Sequence, residues 1–201
     1  MSQVSAASYV DLYWIPLGAG GRFVRHYGRL YEALIARHEG RPRRDLYHCA
    51  LEVIGPAGRF VVEQAPVPDA HGAERGAVSQ GPVGLRGLGR LRLFRYEVRC
   101  WRDGSIPDVA EAVESPCRLS TDVEVARRLL LLVPEVPTPV WGRDELRTGD
   151  MWNSNAVVSW LVTSAGLDPG AVRLPVGGRA PGWDAGVVAA RRRLGAPVRL
   201  P

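Results

Sequence analysis

Apolar and polar positions alternate along some stretches of the chain and recur at three- and four-residue steps along others, and the two periods predict most of the elements. Ser8 to Leu17 is an apolar run with Tyr, Val, Trp and Ile that ends at Pro16 and the following glycines, as a sheet strand would. Phe23, Tyr27, Leu30, Tyr31, Leu34 and Ile35 keep helical spacing until Gly40 and Pro42. Leu46 to Ile54, a Gly55-Pro56-Ala57-Gly58 turn, and Arg59 to Ala65 then form a β-hairpin. Its period of two puts Leu46, His48, Ala50, Glu52 and Ile54 on one face and Tyr47, Cys49, Leu51 and Val53 on the other.

After the hairpin, Val67 to Arg90 shows neither period and is rich in glycine, so it reads as a long loop, either a lid or substrate-binding loop carrying Arg75 and Arg86 or a disordered segment. Leu91 to Trp101 alternates again, with Phe94, Tyr96, Val98 and Cys100 against Arg95, Glu97 and Arg99. A helix follows, opened by a Thr121/Glu124 capping-box pattern and stopped by Pro134. Met151 to Gly166 is apolar nearly all round between Ala156 and Val162, which predicts a central helix. From Leu167 the chain is rich in Gly, Pro and Arg, with a helix-like run at Ala185 to Leu194, and reads as a tail wrapping the domain and anchored by Trp183. The sum is a single α+β domain over residues 1–201, core 8–166 and tail 167–201. It has an antiparallel sheet of about four strands packed on one apolar helix.

Composition narrows the function classes. Hydrophobic residues at 46% and charged residues at 23% are ordinary globular values. No stretch approaches the ~18 uncharged apolar residues of a membrane span, and the first residues lack a secretory pattern, so a soluble cytoplasmic protein is expected. Cys49, Cys100 and Cys117 form no even framework and no C-x-x-C, which predicts reduced thiols, no disulfide scaffold and no metal site. The net charge of +5 comes from 26 arginines and no lysine, scattered without an aromatic-basic stripe, so nucleic-acid binding is not expected.

Two places offer chemistry. His48 and Glu63 stand on adjacent strands of the hairpin, where a buried carboxylate needs a partner that His48 could supply; alternatively His48 is a structural residue and Glu63 faces water on an edge strand. Asn153, Ser154 and Asn155 begin the apolar helix, where they serve as caps, or where a hydroxyl near free backbone N–H groups could support an oxyanion.

Three segments, His48-Cys49-Ala50-Leu51-Glu52-Val53, Val61-Val62-Glu63-Gln64-Ala65-Pro66 and Asn153-Ser154-Asn155-Ala156-Val157, resemble in order the motifs of the circularly permuted papain-like fold. That fold is represented by the lecithin:retinol acyltransferase family and the NlpC-type hydrolases. The resemblance covers roughly residues 46–166 and implies His48 as the catalytic histidine, Glu63 in place of the family's orienting histidine, and Ser154 in place of its nucleophilic cysteine. Ser154, His48 and Glu63 are the residue types of a serine triad. The resemblance therefore implies a serine-dependent acyl hydrolase or acyltransferase acting on an ester, thioester or amide without a cofactor, with Asn153 and Asn155 positioning the oxyanion. The same replacements also fit a catalytically inactive relative that binds a peptide or acyl group or serves a partner protein.

Overall fold

The structure is a computed structural model that describes residues 7–17, 36, 37, 40, 42–67 and 75–195. The helix expected between Phe23 and Ile35 lies outside the described residues. The remainder is α+β. Strands β1 (Tyr9–Pro16), β2 (Asp45–Gly55), β3 (Gly58–Pro66), β4 (Ala77–Pro82), β5 (Arg95–Arg102) and β6 (Val113–Ser120) form an antiparallel path in the order β4-β5-β3-β2-β1-β6. A two-residue β7 (Gly178–Arg179) adds to β2 in parallel. Helices α1 (Val123–Leu132), α2 (Ser154–Ser164) and α3 (Trp183–Arg193) and several short 3-10 turns accompany the strands.

The sheet is larger than the four strands expected, and the reason is proline. The apolar runs that make β1, β2, β3 and β5 are legible, but β4 contains Pro82 and β6 contains Pro116 with register shifts beside it. Both strands lie at the edges of the sheet, where a missing N–H is tolerated and the alternation that marks a strand is weakest. Part of the expected lid loop is therefore β4, followed by 3-10 turns at Arg86–Arg90 and Arg92–Phe94. The first residues of the strand expected from Leu91 belong to these turns.

The hairpin forms as expected. Gly55 pairs with Gly58, the latter at φ +113, across a Pro56-Ala57 loop. The alternation along β2 is also observed. Trp14, Leu12 and Val10 of β1 lie opposite Cys49, Leu51 and Val53, and with Val62, Tyr96 and Val98 they make one face of the main core. Ile15, Tyr13 and Asp11 lie opposite His48, Ala50 and Glu52 on the other face.

Helix α2 packs on the first face and is buried along its whole length, from Ser154 to Ser164, as its unbroken apolar pattern predicts. Helix α1 starts one residue later than the capping pattern implied. In Ser120-Thr121-Asp122 it is Asp122 whose carboxylate accepts the Glu124 N–H at 2.8 Å. The segment read as a wrapping tail belongs to the core. Ala180, Ala185 and Ala190 join the main cluster, and Gly186 brings α3 so close to α2 that any Cβ there would collide with the Ala156 carbonyl and the Ser159 hydroxyl. Trp183 does anchor the segment: its ring packs at a tilt, 5.4 Å between centroids, against Trp14, whose indole N–H donates to the Arg173 carbonyl at 2.9 Å.

Candidate functional site

The Asn153-Ser154-Asn155 start of α2 is a structural knot. Asn153, in extended conformation, is the N-cap, and its Oδ1 accepts the backbone N–H groups of Asn155 at 3.0 Å and Ala156 at 3.2 Å. Its Nδ2 donates to the Pro181 carbonyl at 2.8 Å. Asn155 Nδ2 donates to the same carbonyl and to that of Tyr47 on β2, each at 2.9 Å. The next turn is held from the other side by Asp150, which accepts the Gly182 N–H at 2.6 Å. Gly182 sits at φ +86 against the Asn153 amide, so the turn depends on glycine twice, by conformation and by space.

This arrangement takes up most of the donors at the start of α2 that an oxyanion would draw on. Two of the first N–H groups of α2 point at a side chain of the protein itself, and both asparagine amides donate to backbone carbonyls. Both N–H groups of the Asn155 amide are used in this way, and one of the two on Asn153. Ser154 occupies the first helical position at 7% exposure, and its hydroxyl has no hydrogen-bond partner among the described residues.

His48 and Glu63 do share a face of the sheet, but it is the face opposite the one on which α2 packs. Nor are they partners. Glu63 lies on an interior strand at 6% exposure, and its Oε1 accepts from Arg99 Nη1 at 2.8 Å. Arg99 also donates from Nε to Glu97 at 2.6 Å, and Glu97 receives Arg75 Nε at 3.1 Å. Burial pushes the Glu63 carboxyl above its usual range, while the Arg99 hydrogen bond and charge pull it back. His48 is half-buried, its pKa lowered by burial and drawn back up only by Asp108. Among the described residues it has no hydrogen bond or ion pair.

The expected triad is thus not assembled, and the physical reason is competition. A guanidinium directly opposite a buried carboxylate on the adjacent strand satisfies it better than a neutral imidazole can. The pairing had a signal in the sequence: Arg95, Glu97 and Arg99 alternate on one strand, and the structure buries the latter two. Arg75 and Arg86, expected together on a substrate loop, part company. Arg75 joins the ion network, whereas Arg86 forms a two-pronged pair with the Glu145 carboxylate at 3.2 and 2.7 Å.

The same face continues as a belt of charge pairs. Arg59 binds Glu52 at 2.7 Å, and Arg118 binds Asp11 while lying 4.1 Å over the Tyr9 ring. Opposite signs are matched along the belt, so each of these carboxylates is engaged by a guanidinium. The cysteines are free: burial pushes the Cys49 thiol well up and the Cys100 thiol to about 11, which leaves both as poor nucleophiles. Among the described residues no group of three His, Cys, Asp or Glu could hold a metal, and no helix is long and apolar enough to cross a membrane. Comparison with known protein families, with curated proteins and with solved structures finds no match to this chain.

Proposed function

We propose that the chain is a non-catalytic binding or partner protein built on a permuted papain-like plan, in which the nucleophile position has become a structural one. The order of elements supports the plan: a hairpin carrying His48, then a buried helix opened by Asn-Ser-Asn. The observation that carries the non-catalytic reading is the commitment of the α2 N-terminus. Two of its N–H groups are capped by Asn153, the Asn155 amide is spent on Pro181 and Tyr47, and the Asn153 amide is tied to Pro181. An acyl transfer needs donors aimed at the oxyanion and a base within about 2.6–3.2 Å of the nucleophile. Here the base of the expected triad stands on the far face of the sheet, without its carboxylate.

Fluorophosphonate labelling at neutral pH tests this reading. The folded protein is expected to leave Ser154 unlabelled, and a Ser154→Cys variant is expected to alkylate no faster than an ordinary exposed thiol. Labelling of Ser154 that His48→Ala abolishes would restore the serine hydrolase or acyltransferase reading in its place.

A further inference from the structure

Three guanidinium-bearing side chains, Arg86, Arg90 and Arg95, line an open cleft of about 420 Å3 between β4 and the first 3-10 turn. Among the described residues the lining has no carboxylate. Among the described residues Arg95 is held in place by backbone: its Nε donates to the Gly89 carbonyl at 2.6 Å and its Nη2 to the Arg90 carbonyl at 3.3 Å. The turn is therefore wrapped around a guanidinium that carbonyls, not carboxylates, hold among the described residues. The Arg90 guanidinium is exposed and has no partner among the described residues. Arg86 is oriented by Glu145, a solvent-accessible pair that contributes little and exchanges readily.

Packing keeps the cleft in shape. A Cβ at Gly89 would stand 2.8 Å from the Pro82 Cβ, so glycine is what lets the turn close onto β4. Gln80 adds an amide to the lining. Like charges crowded in this way repel until an anion joins them, and guanidinium forks match the oxygens of a phosphate in number and geometry. The volume lies within the range of about 300–1,000 Å3 usual for small-molecule sites.

We propose that the cleft bounded by Arg86, Arg90 and Arg95 binds the phosphate-ester group of a small anionic ligand. This deepens and rests on the binding-protein reading, to which it adds a ligand class. The same group occurs on soluble phosphomonoesters and on lipid headgroups, and Leu85, Leu91 and Leu93, all more than half exposed on the same segment, are apolar surface that either source could use.

Glycerol 3-phosphate titrated into the full chain by calorimetry at constant ionic strength, beside sedimentation with phosphatidic acid vesicles and with phosphatidylcholine vesicles, tests the proposal. Saturable binding of glycerol 3-phosphate or of phosphatidic acid vesicles is expected, weakened at least tenfold by Arg90→Gln and further by Arg90→Gln with Arg95→Gln. Arg143→Gln, on the neighbouring depression, is expected to change it less than twofold. Arg90 is exposed, so its variant folds whatever Arg95→Gln does. Binding to the vesicles alone would place the phosphate on a headgroup, and binding to the soluble probe alone would place it on a metabolite. Failure of both probes, or equal binding by wild type and Arg90→Gln, would overturn the proposal. Anion binding that fails while Ser154 stays unlabelled removes only the ligand class; a labelled Ser154 removes the non-catalytic reading whatever the anion does.

Discussion

The two faces of the sheet are built from alternate residues of the same strands, yet they are stabilised in different ways. On the helix side Leu12, Trp14, Leu51, Val62 and Val98 pack against α2, and the tolerance there is set by shape. On the other side Asp11, Glu52, Glu63, Glu97 and Arg99 are matched charge by charge beside a smaller apolar cluster of Ile15, Ala50, Val61 and Ile106, and the tolerance of the charged positions is set by pairing. The contrast explains why the expected triad fails to form. His48 and Glu63 belong to the charge-matched face and Ser154 to the packed side, with the strands between them.

If the belt is held by pairing, its largest single effect follows from removing the shared cation. Arg99→Ala would leave Glu63 and Glu97 buried without their partner and is expected to destabilise by about 3–5 kcal/mol, read as a fall in the urea midpoint at unchanged slope. On the packed face the corresponding break is one of volume. Gly186→Ala forces a methyl between α3 and α2, and the expected loss of about 1–3 kcal/mol from overpacking outweighs the gain in helix propensity of about 1 kcal/mol. A stabilised Gly186→Ala protein would mean that the helices do not approach as closely as described.

A smaller effect sharpens the comparison through pH. Burial lowers the His48 pKa from its ordinary 6.5, so the folded protein binds fewer protons at this site than the unfolded chain does. The cost of keeping His48 neutral is therefore absent above pH 6.5 and grows as pH falls below it. His48→Gln is expected to flatten the decline of Tm between pH 7 and pH 5. A steeper decline in the variant would mean that His48 gains a stabilising charge on folding, as a partner of Glu63 would.

What was legible in the sequence follows the same division. Periodicity alone identifies β1, β2, β3 and β5, the buried α2, and the opposite orientation of His48 and Cys49, because a period of two or 3.6 expresses burial directly. It does not identify β4 or β6, where Pro82 and Pro116 interrupt the pattern at the edges of the sheet. Nor does it choose the partner of a charge. The choice of Arg99 over His48 for Glu63 depends on which strand lies beside β3, and β5 brings Arg99 there from 36 residues downstream. The Asn-Ser-Asn start of α2 was legible as a cap or as a catalytic terminus. The choice depends on Pro181 and Tyr47, which sequence distance hides.

A double-mutant cycle on Glu63 tests the central claim most directly. Urea unfolding of Glu63→Gln, Arg99→Met and the double variant is expected to give a coupling of about 1–3 kcal/mol, while the cycle of Glu63→Gln with His48→Gln is expected to give a coupling within about 0.5 kcal/mol of zero. A coupling to His48 that matches or exceeds the coupling to Arg99 would contradict the account and return Glu63 to the histidine.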